Sequence, residues 1–244
     1  MAGPDRQAVS TATAMAAARS FLVGNTFLGG LPEALTDRLI ALGVLRRPKR
    51  GDALFQQDDA GDSLIVVLSG AVKITRVTAE GRELVLNFLK AGDIIGEIAV
   101  LDGGARTAGA TMLEAGEIFV LQRRDLVPVL LEAPEALMEV VLVLCEKLRA
   151  TSDIVQNQHL DVAGRLAAGL IRLAEMHGRR GPRGIEVELA ASQQDLGAYL
   201  GMSRENASRL IARLSREGVL TSERKLLILH DMERLSELAE QGDG

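Results

Sequence analysis

Two short stretches of this chain carry residue types suited to recognition chemistry. The first is Gly96-Glu97-Ile98-Ala99, followed nearby by Arg106-Thr107. An arginine can neutralise a singly charged anion with paired, charge-assisted hydrogen bonds. A glycine lets backbone N–H groups come close to that anion, because no side chain intervenes. Thr107 adds a hydroxyl donor, and Glu97 can accept from a hydroxyl. Glu97 and Arg106 are equally suited to a structural ion pair at the end of a barrel. The second stretch runs from Ser203 to Arg213. On a helix, Arg204, Glu205, Ser208, Arg209 and Arg213 point outward while Ala207, Leu210, Ile211 and Leu214 pack inward. Arginine can pair with guanine O6 and N7, and glutamate can accept from cytosine N4. An ordinary solvated helix with a Glu205–Arg209 pair at i, i+4 has the same look.

Other chemistries lack their residues. Cys145 is the single cysteine, which excludes an internal disulfide and a cluster held by several thiolates of one chain. Its place within an apolar helix suits a small core residue. His159, His177 and His230 fall outside the strand-rich region, so neither a haem ligand nor a metal set is expected there. No nucleophile–base pair or metal set accompanies Glu97 and Arg106, and no enzyme is expected. The net charge of −5 argues against coating nucleic acid by bulk charge but leaves room for a local basic surface. No apolar run approaches the ~18 residues of a membrane span. With one cysteine and no secretory pattern, the expected location is cytoplasmic.

The elements around these stretches fall into three sections. Length allows one large domain or two modest ones, and aromatics at 2% leave the core to Leu, Val, Ile and Ala. Residues 1–24 are rich in alanine and read as a mobile arm running into a short helix. Residues 51–123 alternate short apolar strands with glycine turns, the pattern of a β-sandwich or barrel. Next, Leu137, Val141, Leu144, Leu148, Thr151 and Val155 are spaced 4, 3, 4, 3, 4, which makes an a/d seam. A helix over 135–158 is roughly 36 Å long at ~1.5 Å per residue, and a second chain is its natural cover, with packing along its own domain the other reading. The polar Thr151 and Ser152 either set register or face a ligand. The last section begins with a helix over 161–175, a basic loop over 177–184 and a strand over 185–189. Ser192 with Asp195 forms a capping box, Gly201 permits a tight turn and Ser203 caps the next helix. That is a helix-turn-helix, and residues 218–229 add a strand-turn-strand wing.

From about residue 27 to 230 the order of parts resembles the CRP/FNR superfamily of bacterial transcription regulators, and the motif pattern is most similar to cyclic-AMP receptor proteins. Gly96-Glu97-Ile98-Ala99 with Arg106-Thr107-Ala108 looks like the phosphate-binding cassette of cyclic-nucleotide domains. Thr151-Ser152 stands in the register that touches the base, and Ser203-Arg204-Glu205 with Arg209 looks like the recognition helix. The resemblance implies an α+β fold. It comprises an N-terminal arm (1–26), a jelly-roll cyclic-nucleotide-binding β-barrel (27–132), a dimerisation helix (133–160) and a winged helix-turn-helix (161–244). It also implies that Glu97 accepts from the ribose 2′-OH, and that Thr151 of one subunit and Ser152 of the other meet adenine. That favours cAMP. Arg-Thr-Ala resembles cGMP-selective cassettes, which makes cGMP the alternative.

The expected mechanism is allosteric. Nucleotide in each barrel of a homodimer shifts the helix near 155–161 and reorients the recognition helices, set ~34 Å apart, onto a palindromic operator in double-stranded DNA. Arg204, Glu205 and Arg209 suggest TGTGA-like half-sites, although Ser208 stands where cyclic-AMP receptor proteins usually have glycine. RNA polymerase is an expected further partner; the basic residues Arg179, Arg180 and Arg183 either touch it or phosphate or form a plain solvated loop. A regulator of the same fold that senses another small effector, or none, is the alternative.

Overall fold

The computed structural model describes residues 4–24, 28–79, 81–156 and 160–240, with side-chain surroundings for all of these except 4–11, 146, 147 and 149–156. The chain forms two compact units, residues 1–77 with 89–149 and residues 78–88 with 150–244.

The first unit is built on two sheets. One has the order β1 (Val44–Arg46), β8 (Ile118–Gln122), β3 (Ser63–Val67), β6 (Ile94–Ile95). The other has the order β2 (Ala53–Phe55), β7 (Gly109–Glu114), β4 (Ala71–Val77) in this unit, and β5 (Glu83–Leu89) follows in the chain with residues 83–88 in the second unit. Adjacent strands run antiparallel, as in a double-sheet jelly roll. β3 after Ser63 and β8 before Gln122 are continuously apolar because both of their faces are covered. Ile65, Val67, Ile118 and Val120 join Val72, Ala110 and Met112 in one core cluster. Their neighbours Leu64, Val66, Leu68, Phe119 and Leu121 lie in a second cluster with the helices. A side-chain period of two delivers alternate residues to the two faces.

Among the described residues this unit also holds α1 (Pro4–Gly24), α2 (Glu33–Leu42), α3 (Glu97–Asp102), α4 (Arg123–Leu131) and α5 (Pro134–Gln156) as far as Arg149. In place of the expected arm running into a short helix, residues 4–24 form one continuous helix, α1. Ala14, Ala18 and Leu22, four residues apart, are all but fully buried in the helix-facing cluster. Arg19 pairs with Glu33 at 2.8 Å and also with Asp37, which ties α1 to α2. The alanines are small enough for the two helices to approach closely. The seam helix has two apolar faces. Ala136 and Val140 are buried in that same cluster, while Met138, Val141, Leu142 and Leu148 remain exposed. Packing along its own domain and having an apolar face open to a second chain are therefore both properties of α5.

The second unit carries α6 (Val162–His177), β9 (Arg179–Gly181), β10 (Gly184–Glu188), α7 (Gln193–Tyr199), α8 (Arg204–Arg216), β11 (Leu220–Glu223), β12 (Leu226–Leu229) and α9 (Met232–Glu240). Asp161 caps α6 by accepting from Gly164 N at 2.6 Å. The strands form one sheet in the order β11-β12-β10-β9. The basic loop expected over 177–184 is instead mostly a hairpin, with Arg180 opposite Ile185 and Arg179 opposite Glu186. Tyr199, at the end of α7, accepts from Arg172 Nε at 2.7 Å, and that guanidinium lies 4.8 Å from the ring centroid. Burial raises the Tyr199 phenol above its ordinary pKa, and the Arg172 charge opposes this. Among the described residues no helix is long and apolar enough to cross a membrane.

Candidate functional site

The end of the jelly roll is organised by one arginine. Arg106 is 3% exposed. Its Nη1 donates to Gly96 O at 3.2 Å, and its Nη2 donates to Ser63 O at 2.7 Å and Ser63 Oγ at 2.9 Å. The face of the guanidinium sits 4.1 Å from the centroid of Phe55. Such a stack favours a flat, delocalised cation. Burial pulls Arg106 below the ordinary guanidinium pKa, while the charges of Asp62, Glu97 and Asp59 push it back up. A cation at the end of a core is thus held by neutral acceptors and steadied by carboxylates.

Gly96 is required here for two reasons. It has φ of +89°, in the left-handed region that disfavours side chains. A Cβ there would also stand 2.1 Å from Arg106 Nη1 and 2.9 Å from Ser63 O. The left-handed turn starts α3, a short helix closed at its other end by Gly103, also left-handed. Glu97 opens this helix and is buried, Ile98 is exposed, and Ala99 is buried. Thr107 lies exposed beside Arg106. The structure therefore joins Gly96 and Arg106 directly, and Glu97 bears on Arg106 through its charge. Thr151 and Ser152 fall in the last turns of α5, and their side chains lie outside the described residues.

A cavity of about 810 Å³ is lined by Arg106 together with Arg46, Phe55, Asp59, Ser63 and Ile65, and Gly96, Glu97 and Thr107 are not part of its lining. The buried Arg106 Nε has no hydrogen-bond partner. A buried cation with an unused donor, bordering a cavity and opposite a glycine with no side chain, fits a small anion. Sequence reasoning missed Ser63, Phe55 and Asp62. Phe55 carried a usable signal, since the chain has only five phenylalanines. Ser63 and Asp62 carried none. Among the described residues no group of His, Cys, Asp and Glu could hold a metal.

The second candidate surface is α8. Ser203 Oγ accepts from Asn206 N at 3.2 Å and caps the helix. Ser192 and Asp195 close the expected capping box on α7, and Gly201 turns between the helices at φ of +64°. Ala207, Ile211 and Leu214 are buried, and Leu210 is half-buried. Arg204, Glu205, Ser208, Arg209 and Arg213 are exposed along one face. Arg209 donates to Asn206 Oδ1 at 2.7 Å, not to Glu205, and Arg213 pairs with Glu217 at 3.4 Å. The wing beside it, β11 with β12, pairs Leu220 with Leu229 through Glu223 with Leu226. His230 bridges Thr221 Oγ1 at 2.8 Å and Arg183 O at 2.6 Å, a structural task in the wing.

Known proteins resemble both parts of the chain. A cyclic nucleotide-binding domain family matches residues 45–132, and a Crp-like helix-turn-helix domain family matches residues 164–238. A CRP-like cAMP-activated global transcriptional regulator of Mycobacterium tuberculosis is 30% identical over 191 residues, covering 78% of this chain and 85% of that protein. The cAMP-activated global transcriptional regulator CRP of Escherichia coli is 28% identical over 183 residues, covering 72% of this chain and 85% of the relative. Among solved structures, FixK2 from Bradyrhizobium japonicum shares the fold with a TM-score of 0.71 at 20% identity, over 80% of this chain and 96% of its own. A CRP/FNR-family transcriptional regulator from Thermus thermophilus matches with a TM-score of 0.61 at 25% identity, over 82% of this chain and all (100%) of its own. With both domain families matched in this order and a CRP-like relative 30% identical over 78% of this chain, the chain belongs to the CRP/FNR superfamily and is a cyclic nucleotide-binding, DNA-binding regulator.

Proposed function

We propose that this protein is a homodimeric, cAMP-responsive transcription regulator. The observation that carries the reading is the buried Arg106, with one donor unused and the left-handed Gly96 against it. In this reading Arg106 neutralises the cyclic phosphate, Thr107 donates to it and Glu97 accepts from the ribose 2′-OH. Ile98 and Ala99 complete the cassette. Thr151 and Ser152 of the paired α5 helices meet the base. Relatives named as cAMP-activated support cAMP as the messenger. Thr107 after the arginine favours cGMP as the second reading. Neither haem nor metal has a part in it, and no catalytic step is assigned.

The exposed Met138, Val141, Leu142 and Leu148 of α5 supply the apolar face for the partner chain. Apolar area of this kind is stabilised by burial at ~25 cal/mol per Å². Nucleotide binds the DNA-competent arrangement more tightly than the free one and shifts the population toward it. Two α8 helices then enter successive major grooves of a palindromic, TGTGA-like operator. Ser203, Arg204, Glu205, Ser208, Arg209 and Arg213 face the DNA. RNA polymerase is the expected further partner, and a role on DNA implies the cytoplasm.

Calorimetric titration with cAMP and with cGMP tests this, followed by a DNA shift assay with the better ligand. Heat with one nucleotide and nucleotide-dependent retardation of an operator fragment are expected. No heat and no thermal shift with either leaves a regulator of this fold that answers to another effector or to none.

A further inference from the structure

The way Arg106 is held has a consequence for how it grips an anion. A guanidinium presents five N–H donors and two edges for a two-point grip: Nη1 with Nη2, and Nε with Nη2. Nη2 belongs to both edges. In this structure Nη2 is directed to Ser63, at 2.7 Å from its carbonyl and 2.9 Å from its hydroxyl. Nη1 is drawn to Gly96 O, and Phe55 fixes the plane of the group. The donor without a partner is Nε. With these contacts intact, an anion meets Arg106 at single points only.

We propose that Ser63 is a positioning residue whose hydroxyl takes up one of the two N–H groups of the shared nitrogen of Arg106 in the free protein, the carbonyl keeping the other, and frees that N–H when the cyclic phosphate binds. The inference rests on the reading of this end of the barrel as the nucleotide site. The hydroxyl is the part that can leave, because it turns about one bond, whereas the Ser63 carbonyl is fixed in β3. The Ser63 hydroxyl thus steadies the free state at the expense of affinity. A residue that merely supported the fold would lower both when removed. Removing this hydroxyl lowers one and raises the other.

The test compares wild type, Ser63→Ala and Ser63→Thr in three measurements. These are thermal unfolding of the free protein, calorimetric titration with cAMP and cGMP, and NMR of the Arg106 side-chain N–H groups. Ser63→Ala is expected to unfold about 2–4 °C lower and to bind the nucleotide roughly three- to tenfold more tightly, the scale of one hydrogen bond. Ser63→Thr, which keeps the hydroxyl, returns both values to wild type. Unchanged or weaker binding by Ser63→Ala overturns the proposal. If no variant binds either nucleotide, the nucleotide reading fails by itself, and the NMR measurement then judges the hold on Nη2. Faster rotation about the Cζ–Nη2 bond in Ser63→Ala than in wild type sustains it, and equal rates in the two proteins overturn it.

Discussion

The arginine at the end of the jelly roll and the arginines of α8 work under opposite conditions. Arg106 is buried, stacked on Phe55 and bonded to the backbone at two distant points of the chain. Arg204, Arg209 and Arg213 stand in solvent, with at most a neighbour on their own helix. In the first place the cation is part of the architecture, so its replacement disturbs the fold and, on the proposed reading, recognition as well. In the second place the helix is held by its other face, and the outer residues are open to exchange one at a time. Groups within one network couple energetically, and groups without shared partners add.

Substitutions can break this contrast in order of size. Arg106→Leu is expected to weaken nucleotide binding by about 3 kcal/mol, roughly a hundredfold, from the loss of charge-assisted contacts. It also lowers the melting temperature of the free protein, because Gly96 O and Ser63 O lose their donor; calorimetry and thermal unfolding measure the two effects. A normal melting temperature would show that the arginine is dispensable to the architecture. Gly96→Ala is expected to destabilise by about 2 kcal/mol through its left-handed backbone and its collision with Nη1. Combined with Arg106→Leu it should cost less than the sum, and strict additivity in a denaturant-melt double-mutant cycle would contradict a shared network.

On α8, Glu205→Ala should relax discrimination at one base pair by roughly 1–3 kcal/mol and leave the melting temperature unaltered. A uniform loss on all sequences in competition shift assays would mean that Glu205 reads no base. Ser203→Ala removes the cap of α8 and is expected to cost about 1 kcal/mol, measured as a small drop in unfolding temperature with sequence preference retained.

The same contrast governs how much could be read from residues alone. The cap, the glycine turn and the inward Ala207, Ile211 and Leu214 made α8 visible, because a surface helix writes its periodicity into consecutive residues. The strands of the jelly roll were visible through apolar runs such as 63–68, ended by turns. β9 was hidden, since Arg179-Arg180-Gly181 has no strand character and pairs only because the hairpin brings it to β10. The hold on Arg106 was hidden for another reason. Ser63 lies 43 positions away, and a hydrogen bond across that distance leaves no trace in local spacing. α1 was misread because Ala14 and Ala18 offer little hydropathic contrast, and their value lies in being small where surfaces meet.

That last point bears on how the molecule can be handled. The N-terminal helix shares its core cluster with Leu28, Leu39 and the opening turns of α5. Trimming it for expression would uncover a greasy slot flanking the rod on which pairing is proposed to depend. Shortened versions would then be prone to clump, and any change in their response to a messenger would say little about the intact chain.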